Sequence, residues 1–248
     1  MMYLLDLKTN FGSYLQSSIQ TYITQNRQPS FQKTLIIPTS KSCLKLLFFS
    51  LIFTITAQSY AGPLILSSIS GRDILSETTK TINLTDTKKG TVIVFLSTKC
   101  PCSRSHEPIL NILSKKYVPL GFQFIGLHSN ADETLEMASR HFRAAKLSFP
   151  VLRDENSEIA EKLKAYKTPH VYIINPKGEV LFQGGVDSHS SVGTLLSADP
   201  NTIEAESKKY LEDTSTHHYL REALDAMQTN QPVQNAHVRV LGCIIKRS

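Results

Sequence analysis

VIVFLSTKCPCSRSHEP, Val92 to Pro108, is an apolar run that ends in two cysteines one residue apart. Its first part, TVIVFLS (91–97), is β-branched or apolar at nearly every position. That pattern predicts a central strand buried on both faces. The following PCSRSHEPILNILSKKY (101–117) places Ile109, Ile112 and Leu113 at helical spacing, with Pro108 inside as a predicted kink. Cys100 then falls at the helix N-cap and Pro101 at the first helical position, where a missing N–H costs nothing. The amides of Cys102 and Ser103 are expected to face the Cys100 sulfur. The positive end of the helix dipole and the neighbouring Lys99 add to this field. Such sites lower a cysteine pKa from about 8.5 to about 3.5–7.5. Cys100 is therefore read as an attacking nucleophile.

The second cysteine is oddly spaced. Residues three apart share a helix face, and that position holds Ser103. Cys102 is only two away from Cys100, and side chains so placed diverge. A disulfide needs Cβ atoms about 3.5–4.5 Å apart, so a Cys100–Cys102 bond would distort the first turn.

Working outward, GRDILSETTKTINLTDTKKG (71–90) reads as an entry hairpin or edge strand and GFQFIGLHS (121–129) as a second strand. ADETLEMASRHFRAA (131–145) reads as a helix with acids in its first turn and Leu135, Ala138, Phe142 and Ala145 along one stripe. FPVLRD (149–154) is a short extended piece. NSEIAEKLKAY is a helix turning Ile159, Leu163 and Tyr166 inward, and PHVYIINPKGEVLFQGG (169–185) is two strands around a Pro-Lys-Gly turn. Residues 186–217 are Ser/Thr/Asp-rich and read as an irregular insertion. YLREALDAM is helical, and the tail AHVRVLGCIIKRS alternates weakly. Strands alternating with helices and closed by a hairpin argue an α/β domain over 62–248, a sheet with helices on its faces.

The net charge of +6 on 248 residues is unevenly spread. Residues 1–61 hold five Lys/Arg (Lys8, Arg27, Lys33, Lys41, Lys45) against Asp6, leaving 22 basic and 20 acidic residues downstream. The near-neutral body has no basic stripe, which argues against nucleic acid as a partner. Residues 1–40 are polar and aperiodic. Lys41 and Lys45 precede an apolar stretch from Leu46 to Ala57, and small residues Ser59 and Ala61 follow. That is the layout of a secretory signal over about 41–61 cleaved near Ala61, and its apolar part is short for a membrane span. A periplasmic or secreted protein with membrane contact only through that segment is expected. Removal of Cys43 with the leader leaves Cys100, Cys102 and Cys243, and an odd number cannot all pair internally.

Five stretches in order carry a resemblance: Cys100-Pro101-Cys102-Ser103, Thr168-Pro169 through Gly178, Gly185-Val186-Asp187, Leu220 to Ala226, and Gly242-Cys243-Ile244-Ile245. Over about 64–247 the chain resembles the thioredoxin-like superfamily, and within it the exported redoxin, or AhpC/TSA-like, group. The resemblance implies a thioredoxin-like fold, a central mixed β-sheet flanked by helices on both faces. It also implies thiol–disulfide exchange with protein thiols or disulfides and no organic cofactor. Cys243, at the group's terminal Gly-Cys, is the implied resolving partner of Cys100. Cys102 stays open as the alternative, as does the absence of any internal partner. Pro169 matches the superfamily's cis-proline. With Thr168, Pro101 and Ser103 it is expected to frame the substrate groove.

Two further activities stay open. Peroxiredoxins carry Pro-x-x-x-Thr/Ser-x-x-Cys; here Ser97 fills the hydroxyl place and Ile93 the proline place, so a thiol peroxidase is half supported. Cys100, Cys102, His106 and His170 offer a soft Cys/His set for Cu(I) or Zn. The copper-chaperone branch uses such a set with Cys-x-x-x-Cys spacing, which this chain lacks. A binding module acting through 186–217 is the non-enzymatic alternative. His128, His141, His189 and His237 are assigned structural or surface roles, and His217-His218 a solvated loop end. No paired-carboxylate site or Gly-rich phosphate loop is evident.

Overall fold

A computed structural model describes residues 66–247. The expected leader at 41–61 lies outside the described residues. The strands in chain order are β1 (Ser68–Asp73), β2 (Thr79–Asn83), β3 (Gly90–Phe95), β4 (Phe122–His128), β5 (Val151–Arg153), β6 (Lys167–Thr168), β7 (His170–Ile174), β8 (Val180–Gly184) and β9 (Cys243–Ile244). The helices are α1 (Pro101–Tyr117), α2 (Leu135–Ala145), α3 (Glu158–Leu163), α4 (Gly193–Leu196), α5 (Ile203–Glu212) and α6 (Tyr219–Gln228).

All six residues of β3 are buried, as an apolar run between two neighbours requires. β3 pairs parallel with β4 and antiparallel with β7. The seven-stranded order is β2-β1-β5-β4-β3-β7-β8, a mixed sheet. Successive β3 side chains alternate between two cores. Val92, Val94 and Leu96 meet Ile109, Leu110, Leu113, Phe142, Leu220 and Leu224 from α1, α2 and α6. Ile93 and Phe95 meet Ala160 and Leu163 of α3, and Ile245 from the tail. Helices thus cover both faces, and the architecture is thioredoxin-like. Because β3 and β4 run parallel, the chain must cross over between them, and α1 is that crossover. Its N-terminus therefore sits at the carboxyl end of the central strand. No helix among the described residues is long and apolar enough to cross a membrane.

Several details differ from the sequence-based expectations. α1 itself runs over the expected 101–117, with Pro108 inside it. The helix expected from 131 starts at Leu135, because the Thr134 hydroxyl accepts the Met137 N–H at 3.2 Å and caps it there. α3 ends at Leu163, since Lys164 turns into the left-handed region (φ 57°), and Tyr166 is left 47% exposed instead of inward. The segment 186–217 is not irregular: it forms α4 and α5, which bury Leu195 and Leu211 against the α1 side of the core.

The tail is strapped across the domain. Gln183 N–H donates to the Ala236 carbonyl (2.8 Å) and Val238 N–H to the Gln183 carbonyl (3.1 Å). Farther along, β9 pairs antiparallel with β6, Cys243 opposite Thr168 and Ile244 opposite Lys167. Ala131 N–H then reaches the Lys246 carbonyl (2.7 Å), and Lys246 N–H the Asn130 side chain (3.0 Å). Val240 and Ile245 are buried, each contributing about 1.5–3 kcal/mol to holding the strap.

Candidate active site

Cys100 is the N-cap of α1, with extended backbone (φ −79°, ψ 114°) and Pro101 next in the first turn. Its carbonyl accepts the Arg104 N–H at 3.0 Å, the first bond of the helix. The loop leading to it is cross-braced. Cys100 N–H donates to the Ser97 hydroxyl (3.1 Å), and Ser97 N–H donates to the Ser103 hydroxyl (3.0 Å). The Ser97 hydroxyl, Thr98 hydroxyl and Thr98 N–H all donate to the buried Glu133 carboxylate. His128 Nε2 completes that cluster 2.9 Å from Glu133. Arg153 donates to the other ring nitrogen at 2.6 Å, so the ring proton sits on Nε2 and points at the carboxylate.

Three sulfurs converge in front of this brace. The sulfur atoms of Cys100, Cys102 and Cys243 all lie within 4.8 Å of one another, and the three cysteines are unbridged. The Thr168–Pro169 bond is cis, and the Thr168 carbonyl oxygen lies 3.1 Å from Cys100 Sγ, which donates to it as a thiol. β9 brings Cys243 in on the other side. Its approach depends on Gly242: a Cβ there would stand 2.1 Å from the Thr168 carbonyl oxygen.

The three thiols are electrostatically ordered. Burial works against ionising Cys100, but hydrogen bonds from the Cys243 thiol, the Thr168 hydroxyl and the Ser103 N–H outweigh it and bring its pKa below the ordinary value. Burial, then the charge on Cys100, raise Cys102. Burial and the Cys100 anion push Cys243 up to about 12. Cys100 thus ionises first, and Cys243 keeps a proton to share with it.

The residues singled out from sequence do not all fall where expected. Cys100, Cys102, Cys243, Thr168 and Pro169 come together. Pro101 is exposed beside them, whereas Ser103 is fully buried behind the sulfur and does not line a groove. Lys99 turns to Asp132 (3.1 Å) and is diverted from the cysteine. The backbone edge of Thr168, expected to receive a substrate, is taken by the chain's own β9. The proposed Cys/His ligand set is not assembled: among the described residues the sulfur cluster includes no histidine. His106 is occupied by the Cys102 carbonyl (2.6 Å) and Asp187 (3.1 Å), and His170 is packed against the Tyr172 ring at 4.6 Å. The Ser97 proton is given to Glu133 and is not available to a peroxide. His218 is buried against Tyr210 and bonds the Asp213 carbonyl (3.1 Å), unlike its exposed neighbour His217. A cleft of about 500 Å³ lined by Arg104, Glu107, His141 and Leu195 lies apart from all three cysteines.

Glu133 escaped the sequence reading because it passed for a solvated first-turn acid. The Thr134 cap is the signal that would have placed it before the helix, free to turn inward. Asp187, noted only as part of a short match, buries its carboxylate between His106 and Tyr210 (2.9 Å). It ties the first turns of α1 to α5.

Two buried groups make stability fall in acid over separable windows. Burial without any hydrogen-bond partner lowers His170 to about 4. Its neutral form supports the fold fully above pH 6.5, and that support is lost as pH falls toward 4. Burial alone would raise Glu133, but bonds from His128, Ser97 and Thr98 hold it at about 2, so its support is lost only below 4.5. Between pH 6.5 and 4.5 the loss traceable to His170 is expected to approach about 1.4 kcal/mol per pH unit. Urea unfolding at pH 7, 5.5 and 4.5 checks this. His170→Phe should flatten the slope by one proton; an unchanged slope in that variant would remove His170 as the cause.

Comparison with known proteins follows the same lines. The thiol-disulfide oxidoreductase ResA of Oceanobacillus iheyensis is 28% identical over 123 residues, 48% of this chain. The chain spans 63% of that relative's length. A crystal structure of an uncharacterized conserved protein from Geobacillus kaustophilus is similar with a TM-score of 0.60 and 23% identity, covering 75% of this chain and 93% of that one. A hypothetical protein from Sinorhizobium meliloti gives 0.59 and 21%, covering 77% and 96%. At these identities the two structures speak for the fold alone. The redoxin family model matches residues 67–198, more than half of the chain, and the matched segment holds the central strand, the capping cysteine and the cis-proline. This chain belongs to the redoxin family.

Proposed function

We propose that this chain is a thiol–disulfide oxidoreductase acting outside the cytoplasm on protein thiols or disulfides, with Cys100 as nucleophile and Cys243 as resolving thiol. The carrying observation is the sulfur pair itself: a capping cysteine with a lowered pKa, and a second cysteine strand-paired to Thr168 so that its sulfur faces the first. The similarity to the thiol-disulfide oxidoreductase ResA supports the same reading. The leader-like segment at 41–61 supports the compartment.

In the reducing direction the Cys100 thiolate attacks one sulfur of a substrate disulfide. The substrate S–S bond breaks, its other sulfur leaves and takes a proton, and a mixed disulfide forms at Cys100. Cys243 then gives up its proton and attacks the Cys100 sulfur. The second substrate thiol leaves, and a Cys100–Cys243 disulfide remains. Two electrons have passed to the substrate, and an external dithiol restores the pair. No organic cofactor is needed, since both electrons reside in sulfur. Cys102 is the weaker resolving candidate, because a bond to Cys100 only two positions away would distort the first turn of α1.

Cys100 is only 2% exposed, and β9 covers the Thr168 edge. A protein substrate therefore reaches the nucleophile after the tail moves aside, and the returning tail delivers the resolving thiol. Differential alkylation before and after reduction, read by mass spectrometry, tests the pairing. The expected oxidised species links Cys100 to Cys243 with Cys102 free. A Cys100–Cys102 bond as the main product would reassign the resolving role.

A further inference from the structure

Disulfide exchange uses two sulfurs at a time, yet three are gathered here. All three sulfur–sulfur separations are within 4.8 Å, and the donors are placed by the cap and first turn of α1 and, with the tail seated, by a strand paired to Thr168 through Gly242. A trigonal site with metal–sulfur bonds near 2.3 Å has its sulfurs about 4.0 Å apart. Reaching it from this arrangement requires each sulfur to move inward by at most about 0.5 Å. Cys102 and Cys243 are half-buried, which leaves an entry path, and Cys100 closes the site from behind.

The donor set favours one ion. Thiolates select soft cations, and three sulfurs without a fourth protein ligand match the trigonal coordination of Cu(I), whereas structural Zn(II) sites take four protein ligands. Among the described residues no histidine or carboxylate joins the cluster. His106, which the sequence offered as a fourth ligand, has both ring nitrogens engaged elsewhere. A monovalent ion content with three sulfurs fits what is assembled.

We propose that the reduced protein binds one Cu(I) ion in the sulfur triangle of Cys100, Cys102 and Cys243. Binding replaces the sulfur-bound protons with the metal and involves no electron transfer. It requires all three sulfurs unbridged, so metal binding and disulfide exchange exclude each other. Oxidation of Cys100 to Cys243 would release the ion. This goes beyond the exchange activity and stands or falls separately from it.

The test uses the reduced full-length chain under anaerobic conditions, titrated with Cu(I) against a chromogenic Cu(I) chelator. The expected result is one copper per chain with three sulfur scatterers and no nitrogen in the X-ray absorption spectrum. Cys102→Ser and Cys243→Ser should each weaken binding by on the order of 100-fold or more, at least as much as losing an outer-shell partner costs a metal site. The disulfide-oxidised wild type, which needs no mutation, should not bind. Loaded protein should also resist iodoacetamide at Cys100, Cys102 and Cys243. Substoichiometric copper, a two-sulfur spectrum unchanged in Cys243→Ser, or equal binding by the oxidised protein would overturn the proposal. Exchange activity measured on metal-free protein is a separate readout, so failure there leaves these outcomes interpretable.

Discussion

Replacing Cys100 by serine is expected to reduce disulfide exchange by on the order of 10³-fold or more, to the background of the assay. A serine hydroxyl stays protonated at neutral pH and forms no mixed disulfide, so the first bond-making step is lost altogether. The bracing of Cys100 by Ser97, Ser103 and Glu133 involves backbone N–H groups and neighbouring hydroxyls, not the sulfur. The variant should therefore fold, and circular dichroism with urea unfolding provides the control. Turnover of a disulfide-bonded reporter peptide by the reduced protein is the assay. Residual exchange within tenfold of wild type would mean that another sulfur initiates.

Moving or removing Cys243 should have the next largest effect, and of a different kind. Cys243→Ser should still attack a substrate disulfide but stall as a mixed disulfide at Cys100. Gly242→Ala should do the same with every sulfur retained, because its new methyl would stand 2.1 Å from the Thr168 carbonyl oxygen and force β9 off β6. A tethered thiol owes its advantage to effective concentration, which for well-aligned groups is very large. Turnover is accordingly expected to fall on the order of 100-fold in both variants. Gly242→Ala should also expose Cys100 and speed its alkylation. Non-reducing electrophoresis and the mass of the trapped adduct separate the two steps. If Gly242→Ala turned over normally without a trapped adduct, the strand pairing would be incidental to resolution.

The parts of this molecule written in local patterns were legible before the structure. β3 announced itself through five consecutive apolar positions, Val92 to Leu96, and the cap at Cys100 followed from proline at the next position. What stayed hidden was long-range. Glu133 looks solvated until Thr134 is seen to cap α2, which frees the acid to gather Ser97, Thr98 and His128. α4 and α5 are anchored by single leucines, Leu195 and Leu211, too sparse to make a periodic signal in a polar stretch. β9 is two residues long, and nothing local marks it as a strand; only its partner β6 across 75 positions of chain does, at Thr168 and Cys243. The same distance explains why Thr168 read as an open substrate edge when its own tail covers it. His106 illustrates the converse error: a histidine one turn after a cysteine looks like a ligand, but Asp187, 81 residues away, had already engaged it.

Tail pairing also shapes how the thiols share charge. Cys243 is a donor to the Cys100 anion as long as β9 is seated, while the burial that the same tail imposes opposes that anion.

The most direct measurement is the rate of Cys100 carboxamidomethylation as a function of pH, resolved by mass spectrometry on the reduced wild-type protein. The account predicts a midpoint clearly below about 8.5, the value of a free cysteine. It further predicts that Cys102 and Cys243 titrate above it, with Cys243 last. A Cys100 midpoint at or above the free-thiol value, or Cys243 ionising first, would contradict it.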